Sequence, residues 1–192
     1  MARTPSNMLS LGTSAPAFNL LDTVSGNHVS LESCKGLKGT VIMFICNHCP
    51  FVKHVNPQLA KLAKEYKSKG IEFIAISSND VVNYLEDSPE LMKENAINEG
   101  FIFPYLYDQT QSVAKAYKAA CTPDFYLFNA DLELFYRGQL DNSRPGNGIP
   151  VSGEDMINAI EALLADQKSP KHQKPSLGCN IKWRKDNEPV FQ

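Results

Sequence analysis

An α/β fold built on a central mixed sheet is predicted by three features of the sequence. Residues 39–46 ("GTVIMFIC") and 71–77 ("IEFIAIS") are continuous β-rich apolar runs, the pattern of strands buried on both faces. Each is followed by a stretch in helical spacing that stops at a glycine, Gly70 and Gly100. Further on, "DFYLFNADLELFYRG" holds two strand-like runs around Asn129-Ala130-Asp131, which suits an antiparallel hairpin. At 192 residues the chain has length for one decorated domain with a real core.

Taken in order, "FNLLDTVSGNHVSLESCKG" (18–36) reads as a small N-terminal hairpin turning at Ser25-Gly26-Asn27. After the strand at 39–46, residues 51–70 form a helix whose buried stripe is Leu59, Leu62, Ala63 and Tyr66. Pro57 removes a backbone donor inside it and is expected to kink it. Beyond the strand at 71–77, Ser88 and Pro89 supply an N-cap and a first-turn proline for a helix ending near Gly100. "FPYLYD" is a short strand and "SVAKAYKAA" a short helix. The last helix runs from 154 to about 166, with Met156, Ile157, Ile160, Leu163 and Leu164 on one face. Residues 1–167 thus form the domain. Residues 168–192, rich in Lys and Pro and without core periodicity before "LGCNIKW", form a C-terminal tail expected to lie extended over the surface or to be partly mobile.

Composition narrows the function. Hydrophobic residues at 43% and charged residues at 21% describe an ordinary soluble protein, and a net charge of −2 gives no electrostatic case for nucleic acid or an anionic membrane. No run has signal-peptide character or approaches the roughly 20 apolar residues of a membrane span, so a cytoplasmic location is expected. Cys34, Cys46, Cys49, Cys121 and Cys179 are an odd and scattered set, unlike a secreted disulfide framework.

Cys46 and Cys49 form a CxxC where a buried strand ends and a helix starts. That position brings the first sulfur near unpaired helix N–H groups and favours its thiolate. Cys46 is then the expected nucleophile and Cys49 the thiol that resolves a mixed disulfide. His48 adds positive charge, which stabilises the thiolate and makes the site comparatively oxidising. Pro50 and Phe51 bury the second thiol and keep it protonated. The rival reading is zinc, with His48, His54 or Cys179 completing the set, but no second CxxC or downstream HxxxH is present, and no metal is expected. His54 falls off the dithiol's helix face and is expected to meet solvent. Cys34 reads as a small packing residue in a loop. Cys179 either resolves or caps the site, if the tail folds back, or packs beside Trp183.

Strand-CxxC-helix, then β-α-β, then "CTPDFYLFNADLELFYRG" resembles the thioredoxin superfamily over about residues 11–166. The N-terminal hairpin and "LGTSAPAFNLLDTVSG" resemble its peroxiredoxin-type AhpC/TSA branch. "CNHCPFVKH", "AACTPDFYLF" and "KPSLGCNIKW" together resemble the peroxiredoxin-like members of that branch. The resemblance implies a thioredoxin-like fold with an N-terminal hairpin extension and a C-terminal tail. It implies a thiol-disulfide oxidoreductase without a bound cofactor, acting on protein or small-molecule disulfides and thiols. Electrons come from a reducing partner such as a thioredoxin system or pass from substrate to an oxidant, and proteins of this kind often form a homodimer, though no self-complementary apolar stripe demands one here. Thr122-Pro123 would match the family's cis-proline pair packed against the dithiol, with Thr122 offering backbone groups to a bound peptide or thiol; Cys121 would then lie close enough for an auxiliary role. The alternative is a thiol peroxidase with an antioxidant role. With Cys49 at the peroxidatic position, Cys46 stands where peroxiredoxins carry Thr and Ile42 where they carry Pro, while Arg137 is the candidate for their arginine.

Overall fold

In chain order the strands and helices are β1 (Arg3–Pro5), β2 (Asn19–Asp22), β3 (His28–Ser30), α1 (Leu31–Cys34), β4 (Gly39–Phe44), α2 (Pro50–Lys67), β5 (Ile71–Ser77), α3 (Pro89–Asn98), β6 (Tyr105–Tyr107), α4 (Ser112–Ala116), β7 (Cys121–Thr122), β8 (Asp124–Asn129), β9 (Leu134–Gly138), α5 (Glu154–Leu164) and β10 (Leu177–Asn180). A 3-10 turn, Leu85–Asp87, precedes α3. The structure, a computed structural model, describes residues 3–189.

Local chemistry accounts for the element ends. Asp22 accepts hydrogen bonds from the Val24 and Ser25 amides at the turn between β2 and β3. Pro50 opens α2 and Pro89 opens α3, each where the missing N–H leaves no intrahelical bond unmade. Ser88 accepts from the Leu91 amide as the α3 N-cap.

The main sheet has the order β3-β2-β6-β5-β4-β8-β9. β4 pairs parallel with β5 and antiparallel with β8, and β5 pairs parallel with β6, so the sheet is mixed. Central β4 is buried on both faces, as its unbroken apolar run requires. Val41 and Met43 meet α2 and α5 residues, among them Leu59, Leu62, Tyr66, Met156 and Ile160. Ile42 and Phe44 meet Leu31 of α1, Val113 and Ala114 of α4, and the Tyr117–Tyr126–Phe128 ring cluster. Fully burying a side chain of this size is worth about 1.5–3 kcal/mol, so the two layers hold the end of β4 rigidly.

A second, small sheet has the order β1-β10-β7 and joins the two ends of the described chain. The sequence placed residues 168–192 over the surface; the structure instead inserts β10 between β1 and β7, with Cys179 and Ile181 each only 1% exposed. The cause is backbone pairing at very short range. A Cβ on Gly178 would stand 2.0 Å from the Thr122 carbonyl oxygen, an approach only glycine permits. The Ser176 hydroxyl donates to the Pro123 carbonyl (2.7 Å), and the Ile181 amide donates to the Ala120 carbonyl (3.2 Å). These partners lie far away in sequence, so no local period announces the strand.

Asp124, first residue of β8, is buried in this wall. Burial raises its carboxyl to about 8, and hydrogen bonds from the Ala120 amide and the Tyr126 hydroxyl offset only part of that. Its unfolded value is about 3.9. Between those two values the unfolded chain has released a proton that the folded chain retains, so stability falls as pH rises across the window and levels off above it. Asp124→Asn retains an acceptor for both donors and is expected to remove this decline, which runs up to about 1.4 kcal/mol per pH unit. Urea unfolding of both proteins at pH 5 and pH 8 checks it; parallel losses in wild type and variant would count against it.

Candidate active site

β4 ends at Phe44, and the Ile45 amide still bonds the Ile76 carbonyl (3.0 Å), so residues 46–49 leave the sheet from a fixed point. α2 then begins at Pro50 with Cys49 as its N-cap. The sequence reading put the helix start nearer the first cysteine. The helix start meets the second cysteine, whose carbonyl accepts from the Val52 (3.1 Å) and Lys53 (3.0 Å) amides, while Cys46 stays at the strand end. Both side chains are buried.

The peptide bond between Thr122 and Pro123 is cis, and Thr122 touches both thiols. Its Oγ1 shares a 3.3 Å hydrogen bond with Cys46 Sγ, and its carbonyl oxygen lies 3.1 Å from Cys49 Sγ. Cys49 Sγ is also 3.0 Å from Cys179 Sγ on β10. The hydrogen bond from Cys46 lowers the Cys49 thiol, burial opposes this, and donors on Cys179 and the Val52 amide add to it. Cys46 moves the other way: the bond it gives to Cys49, its burial and the nearby Asp87 carboxylate all hold its proton. The two thiols are thus pushed in opposite directions, Cys49 down and Cys46 up. The Thr122 carbonyl opposes the lowering of Cys49, because it accepts a hydrogen bond from that thiol.

His48 is held by a residue the sequence reading missed. Its Nδ1 is 2.6 Å from Asp87 Oδ2, and its ring stacks on Tyr84 at 5.4 Å. Asp87, fully buried on the 3-10 turn, accepts at Oδ1 from the Asn47 (2.8 Å) and His48 (3.2 Å) amides and at Oδ2 from Asn79 Nδ2 (2.7 Å). The Asp87 hydrogen bond raises His48, with burial opposing. Burial would raise Asp87, but the bonds from His48 and Asn79 outweigh it and keep the carboxyl below its ordinary range. The Asn47 amide side chain completes the frame, donating to the Glu86 carbonyl and accepting from the Tyr105 hydroxyl. No sequence signal marks Asp87, an acid in a loop 39 residues from His48.

Cys46, His48 and Asp87 bring one ligand atom each within 4.8 Å of one another. Asp87 and the His48 Nδ1 are already committed to the bonds above, so the set is built as an ion pair. Arg137 lies on β9 with its guanidinium on the Leu9 carbonyl and Gln173 Oε1, which ties the N-terminal segment to the tail. His54, expected at the solvent face, is half-buried in a crevice it shares with Phe51 and Pro123. Cys121 is buried on β7 with its thiol raised by burial first and by Asp124 next. Cys34 bonds the Ser30 carbonyl, and burial pushes its thiol up to about 11.

A dithiol between a buried parallel strand and a helix, facing a cis-proline, defines a thioredoxin-like dithiol protein. The fold agrees: the thioredoxin domain of a thiol-disulfide oxidoreductase from Bacteroides vulgatus superposes with a TM-score of 0.64 at 22% identity, covering 82% of this chain and 99% of that one. More narrowly, residues 11–137 match the AhpC/TSA family, and the chain belongs to it. It is similar to the thiol-disulfide oxidoreductase ResA of Halalkalibacterium halodurans, 29% identical over 116 residues. That match takes in 60% of this chain and 61% of ResA, less than two thirds of the relative's length. The crystal structure of an uncharacterized conserved protein from Geobacillus kaustophilus is similar over nearly the whole chain, with 58% identity, a TM-score of 0.95 and coverage of 97% and 98%.

Proposed function

We propose that the protein is a thiol-disulfide oxidoreductase working through the Cys46–Cys49 dithiol. The observation that carries the reading is the pair of buried sulfurs meeting Thr122 where β4 gives way to α2: Cys46 Sγ shares a hydrogen bond with Thr122 Oγ1 and Cys49 Sγ lies 3.1 Å from the Thr122 carbonyl oxygen. The Cys49 thiolate attacks one sulfur of a substrate disulfide and releases the other half as thiol. Cys46 then attacks Cys49 Sγ, releasing the second thiol and leaving the intramolecular disulfide. Both thiols are buried, so substrate must displace part of their cover. The similarity to ResA supports disulfides and thiols as the substrate class. Electrons enter from a reducing partner such as a thioredoxin system. The scattered cysteines suit a cytoplasmic, reducing setting, and no helix among the described residues is long and apolar enough to cross a membrane.

Stabilising the thiolate stabilises the reduced form and raises the reduction potential. Equilibration with glutathione buffers is expected to give a value above that of thioredoxin, about −270 mV. A lower value would remove the basis for an oxidising dithiol.

A thiol peroxidase is the second reading, favoured by family membership and by the depressed Cys49 thiol. Against it, Ile42 and Cys46 stand at the peroxidatic Pro and Thr positions, and Arg137 is engaged by Leu9 and Gln173. Rapid mixing of reduced protein with hydrogen peroxide or with a protein disulfide separates the two. Fast disulfide exchange with sluggish peroxide oxidation is expected; the opposite order would install the peroxidase instead.

A further inference from the structure

We propose that Cys179 is a third redox-active cysteine, which attacks Cys49 Sγ of the oxidised dithiol and converts the Cys46–Cys49 disulfide into a Cys49–Cys179 disulfide. The proposal rests on the oxidoreductase reading, because substrate supplies the first disulfide.

Three features place Cys179 for this step. β10 pairs with β7 in a register that sets Cys179 opposite Thr122, the residue in contact with both Cys46 and Cys49. Cys179 Sγ already stands 3.0 Å from Cys49 Sγ, so a bond of about 2.05 Å needs a shift of roughly 1 Å. Cys49 thus has Cys179 in direct sulfur–sulfur contact as well as Cys46 three residues away as its CxxC partner. Gly178 is what brings the strand this close, since any side chain there would collide with the Thr122 carbonyl.

The exchange is balanced without an external oxidant. A Cys179–Cys49 bond forms as the Cys49–Cys46 bond breaks, the electron pair leaves on Cys46, and Cys46 takes the proton that Cys179 gives up. Oxidation also prepares the attacker. In the reduced site burial pushes Cys179 up to about 12, and its hydrogen bond to the Cys49 anion is the next cause. Disulfide formation abolishes that anion, while Lys182 continues to favour the Cys179 thiolate. The product has a reduced Cys46 and a covalent tie between the start of α2 and β10.

The test uses oxidised glutathione as the disulfide, acid quenching, alkylation and peptide mapping. Reduced wild type is expected to form Cys46–Cys49; if no such disulfide forms, the oxidoreductase reading itself falls. In Cys46→Ser, the Cys49–glutathione adduct is expected to collapse into a mapped Cys49–Cys179 disulfide. In Cys46→Ser with Cys179→Ser, the adduct is expected to live at least about tenfold longer. Equal lifetimes, or collapse onto Cys121, would overturn the role of Cys179 while leaving the dithiol intact. Wild type held in glutathione redox buffers gives a check without substitution: a fraction with Cys46 alkylated and Cys179 protected is expected, and its complete absence would also overturn the proposal.

Discussion

Replacing Cys49 by Ser is expected to lower disulfide exchange on the order of a thousandfold or more, whereas Cys46→Ser is expected to complete the first attack and lose only the Cys46–Cys49 disulfide, its mixed disulfide passing on to Cys179. The difference follows from where α2 starts. Cys49 is the N-cap and its thiol is pushed down, while the Cys46 thiol is pushed up. A pH titration of ultraviolet thiolate absorbance reads the same point independently. The low transition is expected to vanish in Cys49→Ser. In Cys46→Ser it is expected to persist but move upward, since the largest influence lowering Cys49 is the bond from Cys46. If Cys46→Ser loses the low transition and Cys49→Ser keeps it, the nucleophile is Cys46 after all.

The second large effect is expected at Asp87. Asp87→Ala leaves the Asn47 and His48 amides and the Asn79 side chain without their acceptor and strips His48 of its counter-charge. Breaking a buried pair from one side costs about 3–5 kcal/mol, to be read as a fall in the urea midpoint. Asp87→Asn keeps the shape, loses the charge, and is expected to bring the His48 titration, followed by NMR, down toward its ordinary value and the Cys46 thiol down with it. The sign of the pH dependence follows from the two shifts. The lowered Asp87 contributes stability above its unfolded value of about 3.9, lost as pH falls through the folded value. The raised His48 contributes below about 6.5, lost as pH rises through its folded value. The pair therefore stabilises the loop most between about pH 4 and 6.5. An unchanged His48 titration in Asp87→Asn would show that Asp87 is not its partner in solution.

What the sequence revealed tracks how local each cause is. Strand β5 falls on the residues read from its apolar run, and Leu59, Leu62, Ala63 and Tyr66 are the buried stripe of α2, because burial and helical period act within a few residues. Ser88 and Pro89 marked the start of α3 through capping chemistry in the same way. β1, β7 and β10 stayed hidden because strands of two to four residues carry no period and exist only through partners far off in the chain. The same limit applies at the site. The CxxC and the Thr122-Pro123 pair were visible as motifs, whereas Asp87 and the position of Cys179 depend on contacts across 39 and 130 residues. Which cysteine stands at the helix start turned on whether α2 begins before or after Pro50, and helix starts are legible only to within a residue or two.

Strand β10 also sets the order in which the site can be assembled during synthesis. A ribosome delivers Cys46 and Cys49 early, while the segment that lies against them follows about 130 residues later, after every other helix and strand described here has been made. Closing so long a loop is a late step for a growing chain. For that interval the nascent protein carries an uncovered pair of thiols beside an open strand edge at β7, the state in which premature oxidation and mispairing with other chains are easiest. A reducing environment around the ribosome would thus serve the making of this protein as well as its catalytic cycle.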